Sequence, residues 1–231
     1  MDNKMKICVL ACLFLSLAGC RHRLEILNRA DYEVVSLPTA TSQKGLTVGL
    51  SANRQYADLI KMVASEMRKL GEYNVTIVDS QTTASELITD VDIVLRFDDL
   101  SGDGSWGNFF VCWPGFIVAT HAWRGYRYVI DWSIRADIEF SNEDAKERTM
   151  RRTIEIKLDV RFSRTGTGAS NHASYAIYPF FTIPAIINGF WNLSYDDHVT
   201  QEVHLVFDET AARFVAKELV VTINQKMKEV K

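Results

Sequence analysis

The sequence contains little of what marks several large classes of protein. It has only 4 cysteines and 4 prolines in 231 residues, and its 26 lysines and arginines are outnumbered by 29 acidic residues. The scarcity of cysteine excludes a disulfide framework. The absence of a basic surplus argues against nucleic-acid binding, so no nucleic-acid partner is expected. The chain also has no uninterrupted apolar run of the roughly 20 residues that a membrane-spanning helix requires.

The N-terminus carries the pattern of a cleaved export signal. Lys4 and Lys6 precede an apolar stretch over residues 7–16, which has the length of a signal-peptide core. Residues 17–20 then read Leu-Ala-Gly-Cys, which resembles the lipobox of bacterial lipoproteins. That resemblance implies removal of a signal peptide over residues 1–19 and acylation of Cys20. The alternative is an ordinary secretory signal followed by a chance cysteine.

The residue after the lipobox indicates which membrane holds the anchor. In the lipoprotein family an aspartate at this position commonly retains the protein in the inner membrane, and here the position is occupied by Arg21. The resemblance therefore implies an outer-membrane lipid anchor that faces the periplasm. Removal of residues 1–19 takes away two lysines and one aspartate, which leaves 24 basic and 28 acidic side chains and a formal charge of −4.

Weakly patterned residues separate the anchor from a longer, patterned region. Residues 20–45 predict a lipidated N-terminus and tether, with one short strand near residues 32–37. Residues 46–231 are long enough to bury a sizeable core and predict a single α+β domain.

Two long alternating runs are the clearest structural signal in this region. Apolar and polar residues alternate over residues 128–140 and again over residues 154–162, which predicts an antiparallel hairpin with one solvated face. Helical spacing over residues 56–70 predicts a helix. Residues 199–207 suggest one more strand, and Asp208 opens a last helix. The predicted fold class is α+β, with a mostly antiparallel sheet, helices on one face and two apolar aromatic insertions.

The two insertions, at about residues 106–124 and 175–193, consist largely of apolar and aromatic residues. They are too short or too rich in proline to span a membrane as helices, and they do not alternate like barrel strands. They bracket the hairpin, so we expect them at the same end of the sheet. Two interpretations remain: a buried subcluster, which the large area favours, or a surface that meets a partner, a second protomer or lipid headgroups. The candidate contact residues are Phe109, Phe110, Trp113, Phe116, Trp123, Phe180, Phe181, Phe190 and Trp191.

Catalytic and metal-binding chemistry is weakly represented. Ser170 and His172 lie in a loop of turn-forming residues, and a periplasmic hydrolase that uses them is an alternative to a binding function. No nucleophile elbow or oxyanion-hole motif accompanies them, so no catalytic residue is assigned. The five histidines show no metal-ligand spacing, and neither a metal nor a cofactor is expected. The apolar neighbours of Cys112, the one thiol left after processing, favour a buried, inert side chain.

The order of the predicted elements resembles that of small domains in bacterial envelope lipoproteins. Strand, helix, strand, short helix, strand, hairpin and terminal helix follow one another over about residues 46–225. This order is similar to that of TolB N-terminal domains, peptidoglycan-synthase activator lipoproteins and CsgG-like curli secretion lipoproteins. The resemblance implies a non-catalytic interaction or assembly module, which reaches the membrane through its lipid and binds an envelope protein or a second copy. A carrier of a small apolar ligand is a further alternative.

Overall fold

The computed structural model describes a large part of the chain in eleven segments. These are residues 21–33, 46–71, 73–78, 91–98, 100–112, 124–140, 149–165, 186–187, 190–191, 193 and 197–229. The strands in these segments are β1 (Arg21–Ile26), β2 (Thr47–Ser51), β3 (Asn74–Ile77), β4 (Val91–Phe97), β5 (Ser101–Gly104), β6 (Tyr126–Phe140) and β7 (Thr149–Thr165). The helices are α1 (Ala57–Gly71), α2 (Trp106–Cys112) and α3 (Asp197–Glu229), with short 3-10 turns at Arg29–Tyr32 and Arg54–Tyr56.

The seven strands form one mixed sheet in the order β1-β7-β6-β4-β2-β3, with β5 paired to β6. β1 runs antiparallel to β7 and β4 runs antiparallel to β6, whereas β2 pairs parallel with both β3 and β4. The parallel pairing of β2 and β3 follows from the chain path, because α1 connects them and a helical crossover returns the chain in the same direction. The α+β class predicted from the sequence is confirmed, with a sheet of mixed strand directions.

β6 and β7 correspond to the two alternating runs of the sequence. Along β6 every even-numbered residue is buried, and every odd-numbered residue is exposed or half-buried. The same alternation holds along residues 154–162 of β7. The solvated face carries ion pairs between the strands, such as Arg151 Nε to Asp137 Oδ1 at 2.7 Å. The predicted division into one apolar and one solvated face is therefore confirmed for both strands.

The chain divides into two compact units. Unit 1 comprises Met1–Leu27, Gly102–Ile130 and Leu158–Val199, and unit 2 comprises Asn28–Ser101, Asp131–Lys157 and Thr200–Lys231. β6 and β7 run through both units, so neither unit is a separate stretch of sequence. The domain boundaries given above, with a single domain over residues 46–231, stay a prediction.

In unit 2, aromatic side chains connect the sheet to the helices that cover its buried face. The ring of Phe97 on β4 lies 4.9 Å from that of Tyr56, which directly precedes α1, and 6.5 Å from that of Trp132 on β6. His204 of α3 contacts both neighbours, with ring centroids 6.5 Å from Tyr56 and 5.3 Å from Trp132. Just before β3, the hydroxyl of Tyr73 donates a hydrogen bond to the side-chain oxygen of Asn224 on α3 at 2.9 Å. Both helices of unit 2 thus pack on the same, apolar side of its strands.

The C-terminal helix begins eleven residues before the predicted start at Asp208, because α3 is one helix over Asp197–Glu229. The predicted strand at residues 199–207 is therefore wrong. Val199, Val203 and Phe207 are buried at intervals of four residues, whereas Leu205 between them is 81% exposed. A strand would place Val203 and Leu205 on the same face, and a helix places them on opposite faces. Because Leu205 is apolar, the sequence has apolar residues at positions 203, 205 and 207, which is the spacing typical of a strand.

In unit 1, the residues that directly follow Cys20 form an edge strand. Residues 21–26 were expected to be part of a tether, but β1 pairs antiparallel with β7, with Arg21 opposite Thr165 and Ile26 opposite Val160. The pairing extends by one more hydrogen bond, from the backbone N–H of Leu27 to the carbonyl of Asp159 at 2.8 Å. This part of the predicted tether is thus held in the sheet, which corrects that expectation for residues 21–26.

Gly125 fixes the approach of β6 to β7 in unit 1. It has a φ of +70°, and a Cβ at this position would lie 2.8 Å from the carbonyl oxygen of Phe162. Glycine adopts this left-handed conformation without steric cost, and only its lack of a side chain permits so close a contact between the strands. The first residues of β6 consequently lie beside the last residues of β7.

Candidate functional site

The first apolar insertion begins with α2, which is held to β6 by hydrogen bonds to the backbone of Arg127. The side-chain oxygen of Asn108 accepts a hydrogen bond from the N–H of Arg127 at 2.7 Å, and its side-chain amide donates to the Arg127 carbonyl at 2.9 Å. Ser105 donates its backbone N–H to the same carbonyl at 3.3 Å. Asn108 is buried, so these bonds replace the hydrogen bonds to water that its amide has lost.

α2 buries one polar and one apolar residue and leaves two of its aromatic residues in solvent. Asn108 and Val111 are buried, whereas Trp106 is 65% exposed and Phe110 is 57% exposed. A surface helix normally turns its apolar stripe toward the core. Here the pairing of Asn108 with Arg127 turns the asparagine inward and leaves two large aromatic side chains in solvent.

The second apolar insertion meets the first within unit 1. The ring of Phe190 lies 5.1 Å from that of Phe109 and 6.5 Å from that of Trp106. The backbone N–H of Gly104 donates to the carbonyl of Leu193 at 2.8 Å. Where the structure describes both segments, it therefore brings them together, as expected from their positions on either side of the hairpin.

Together these side chains form what we call the aromatic surface, made of Trp106, Phe109, Phe110, Phe190 and Trp191. Phe190 is 52% exposed and Trp191 is 71% exposed, while Phe109 is half-buried between its neighbours. Clustered exposed apolar residues mark contact sites more often than scattered ones do. This exposure favours the interpretation as a surface over that of a buried subcluster, and the role of these residues in contact stays a prediction.

The remaining candidate residues lie outside the part of the chain that the structure describes. They are Cys20, Trp113, Phe116, Trp123, Phe180 and Phe181, together with Ser170 and His172 of the hydrolase alternative. Lipidation, the hydrolase and the contact role of these aromatic residues thus stay predictions.

Two residues of the site were not among the candidates. Trp106 is three and four positions before Phe109 and Phe110, and this helical spacing was the signal that could have included it. Asn108 offered no such signal, because it holds α2 through hydrogen bonds to Arg127, which is 19 residues away in sequence.

An ion pair joins β6 to β7 next to α2. The Nε of Arg127 donates to Oδ1 of Asp159 at 2.8 Å, and a second nitrogen of the same guanidinium donates to Oδ2. The hydrogen bond from Arg127 lowers the pKa of Asp159 below its ordinary value of 3.8, and burial of the carboxylate opposes this effect. The same pairing raises the pKa of Arg127. The pairing thus favours the charged forms of both Arg127 and Asp159.

We expect the Arg127–Asp159 pair to give the fold a measurable acid dependence. Because the pKa of Asp159 is lower in the folded state, its stabilising contribution is present above the unfolded-state pKa and disappears as pH falls through the folded-state value. Asp159→Asn should lower the free energy of unfolding by about 0.5 to 1 kcal/mol at pH 7, because the pair is partly solvated. Urea unfolding of both proteins from pH 7 down to below pH 3.8 measures this. The difference should shrink with acidification, and a constant difference would contradict the assigned pairing.

Unit 2 contains an open groove on the solvated side of β6 and β7. Its volume is about 400 Å³, and its lining includes Asp98, Asp131, Glu155 and Lys157. Lys157 lies 3.7 Å from Asp131, so charges within the lining neutralise one another in part. An apolar-ligand carrier requires a predominantly apolar enclosure, and this open groove, with charged residues at four of its eight lining positions, is not one.

The described residues show neither a metal site nor a membrane-spanning helix. Across segments 21–33 through 197–229, with the gaps given above, no three histidine, cysteine, aspartate or glutamate side chains converge as metal ligands. None of the helices in these segments combines the length and the apolar composition needed to cross a bilayer.

Comparison with known proteins finds likeness in structure alone. The chain matches no protein-family model, and it matches no curated protein in sequence. Among solved structures, rare lipoprotein B from Shewanella oneidensis is 17% identical, with a TM-score of 0.31 over 69% of this chain and 98% of that one. A minor lipoprotein from Acinetobacter baumannii is 9% identical, with a TM-score of 0.31 over 81% of this chain and 95% of that one.

A third structure with comparable values is a Xanthomonas campestris protein of the family DUF330. It is 10% identical, with a TM-score of 0.31 over 73% of this chain and 92% of the other. Two of the three proteins are called lipoproteins, and these names describe the compared proteins only.

Proposed function

We propose that this protein is a lipid-anchored lipoprotein of the bacterial cell envelope and acts as a non-catalytic interaction or assembly module. The aromatic surface is its contact surface. The observation that carries the proposal is the exposure of two aromatic residues of α2, Trp106 and Phe110, while Asn108 of the same helix is buried. A chain that used α2 only to fill its core would bury its largest aromatic side chains.

The lipid anchor is the second part of the proposal. The lipobox pattern ending in Cys20 supports acylation of that residue, and Arg21 after it supports sorting to the outer membrane, with the domain in the periplasm. Two or three acyl chains give membrane attachment far stronger than one chain alone, since each buried methylene contributes about 0.8 kcal/mol. The aromatic surface is therefore not needed for attachment itself, which is consistent with a separate role in binding.

The composition of the aromatic surface also fits a contact role. Tryptophan and phenylalanine are enriched at binding interfaces, where their large apolar area becomes buried. Trp106 and Phe190 come from insertions more than 80 positions apart, yet their rings meet at 6.5 Å. Two separate segments thus contribute adjacent side chains to one exposed patch. An envelope protein or a second copy of this chain is the partner class that we carry over from the sequence.

We expect site-specific photo-crosslinking in cells to show that the aromatic surface is in contact with another envelope component. Benzoylphenylalanine is placed at Phe110 or at Trp191 in the full-length protein, and at Leu205 of α3 as a matched control. Leu205 is equally apolar and more exposed, at 81%, but belongs to unit 2. The adduct yields at positions 110 and 191 should be about tenfold higher than the yield at position 205. This ratio corresponds to a preference of about 1.4 kcal/mol for partner contact at the aromatic surface.

The masses of the adducts distinguish the partners. An adduct of twice the chain mass identifies a second copy, and one of different mass identifies another envelope component. The variants Phe110→Ser and Trp191→Ser serve as folding controls. Both side chains are more than half exposed, so their loss should lower the unfolding free energy by no more than about 1.5 kcal/mol and leave the protein folded. Equal yields at all three positions would count against the aromatic surface as the contact site.

A further inference from the structure

β1 starts at the residue that directly follows the predicted acylation site in the sequence. β1 begins at Arg21, which is bonded to Cys20, so the two Cα atoms are about 3.8 Å apart. Arg21 is already paired with Thr165 of β7, and Arg23 is paired with Ser163. No linker separates the anchor from the sheet. The end of unit 1 at which β1 starts is thus held next to the membrane that contains the acyl chains.

The aromatic surface lies at this same end of unit 1. Gly125 contacts Phe162 and Ser163 at the end of β7, and Ser163 is also the partner of Arg23 on β1. The starts of β1 and β6 therefore flank the end of β7, about 10 Å apart at two interstrand spacings. α2 in turn is hydrogen-bonded to Arg127, the second residue of β6. The start of β1, which follows the predicted acylation site, and α2, which carries Trp106 and Phe110, therefore lie at the same end of unit 1.

The sequence at this end is basic, although the whole chain is acidic. Residues 21–24, 101–112, 124–127 and 161–165 contain 6 arginines and 1 acidic residue, whereas the full chain has a net charge of −3. Two of these arginines, Arg127 and Arg161, form ion pairs with Asp159 and Glu25, which lie just outside these ranges. A basic end beside exposed tryptophan and phenylalanine has the chemistry of a surface that lies in the headgroup zone of an anionic bilayer. In such a zone arginine meets lipid phosphate, and aromatic rings meet the boundary of the acyl chains.

We infer that the occupant of the aromatic surface is the bilayer that holds the acyl chains of Cys20. The surface is a second membrane contact, which orients unit 1 with the starts of β1 and β6 toward the lipid. This inference depends on the proposed function for the contact surface, and it names the bilayer as occupant in place of an envelope protein or a second copy. A protein partner at this surface is the competing outcome of the test.

The test uses the lipidated protein reconstituted alone into vesicles of phosphatidylethanolamine and phosphatidylglycerol. Benzoylphenylalanine stands at position 110, 191 or 205, and lipid adducts are quantified by mass spectrometry after illumination. All three variants share the same anchor, so a difference between positions reports orientation and not tethering. Positions 110 and 191 should give lipid adducts in yields about tenfold above position 205. Thermal unfolding of each variant confirms that it is folded.

Yields at positions 110 and 191 no higher than at position 205 would overturn the bilayer as occupant. Together with the cellular crosslinking, this experiment distinguishes failure of the proposed function from failure of the inference about the bilayer. Protein adducts in cells without lipid adducts in vesicles would leave the proposed function standing and refute the inference. A lack of preferential adducts in both experiments would refute both. Lipid adducts at positions 110 and 191, with protein adducts absent there, support the bilayer.

Discussion

Replacing Cys20 with serine is expected to abolish acylation of the protein and to remove it from the outer-membrane fraction. The lipobox cysteine provides the sulfur and, after cleavage, the amino group that carry the acyl chains, and a serine provides no thiol. Loss of two or three chains removes many buried methylenes at about 0.8 kcal/mol each, which no surface contact of this chain replaces. Metabolic labelling with a fatty acid and fractionation of the membranes measure the effect. We expect complete loss of label and of outer-membrane protein.

Cys112→Ser is the matched control for this experiment. Cys112 is the one other cysteine that remains after removal of residues 1–19, and it lies at the end of α2. Its substitution should leave labelling and fractionation unchanged. Intact-mass measurement of the wild type should also show a mature chain that starts at residue 20 with added acyl groups. A mature N-terminus at another residue, or label retained by Cys20→Ser, would contradict the anchor.

Period-two alternation made the central strands of the sheet predictable, and its absence concealed β1. β6 and β7 are long and buried on one face, so each carries several repeats of the pattern. β1 has only six residues, and its first three are Arg-His-Arg. An edge strand of this kind is defined by its partner, and that partner, β7, lies more than 130 residues further along the chain. Local sequence contains no information about such a pairing.

The aromatic surface could be predicted in composition but not in exposure. The continuous run of largely apolar residues at positions 109–119 identified the segment, and the large apolar area then favoured burial. Exposure depends on Asn108, whose side chain pairs with both backbone groups of Arg127 and so determines which face of α2 is inside. That pairing becomes visible only once α2 and β6 are placed together. The consequence is that a short helix, unlike a long strand, takes its orientation from tertiary contacts and not from a repeated sequence pattern.

The orientation of α3 leads to the second large expected effect, which comes from placing a charge at Val203. Val203 is fully buried in unit 2, so Val203→Asp puts a carboxylate where water does not solvate it. We expect the free energy of unfolding to fall by about 4 kcal/mol or more, enough to unfold many proteins of this size. Urea unfolding followed by circular dichroism measures the change, or shows that the variant is unfolded at the outset.

Leu205→Asp is the matched substitution that makes this a test of the helix. In a strand over residues 199–207, positions 203 and 205 would share one face, and both substitutions would destabilise the protein to a similar extent. In α3, Leu205 is 81% exposed, and its replacement should change the free energy of unfolding by less than about 0.5 kcal/mol. Both substitutions introduce an aspartate, two residues apart, so the change in charge is the same and the two positions differ in burial. Comparable destabilisation by both would contradict the helix and restore the strand, whereas a large effect at position 203 alone follows from a helix that begins at Asp197.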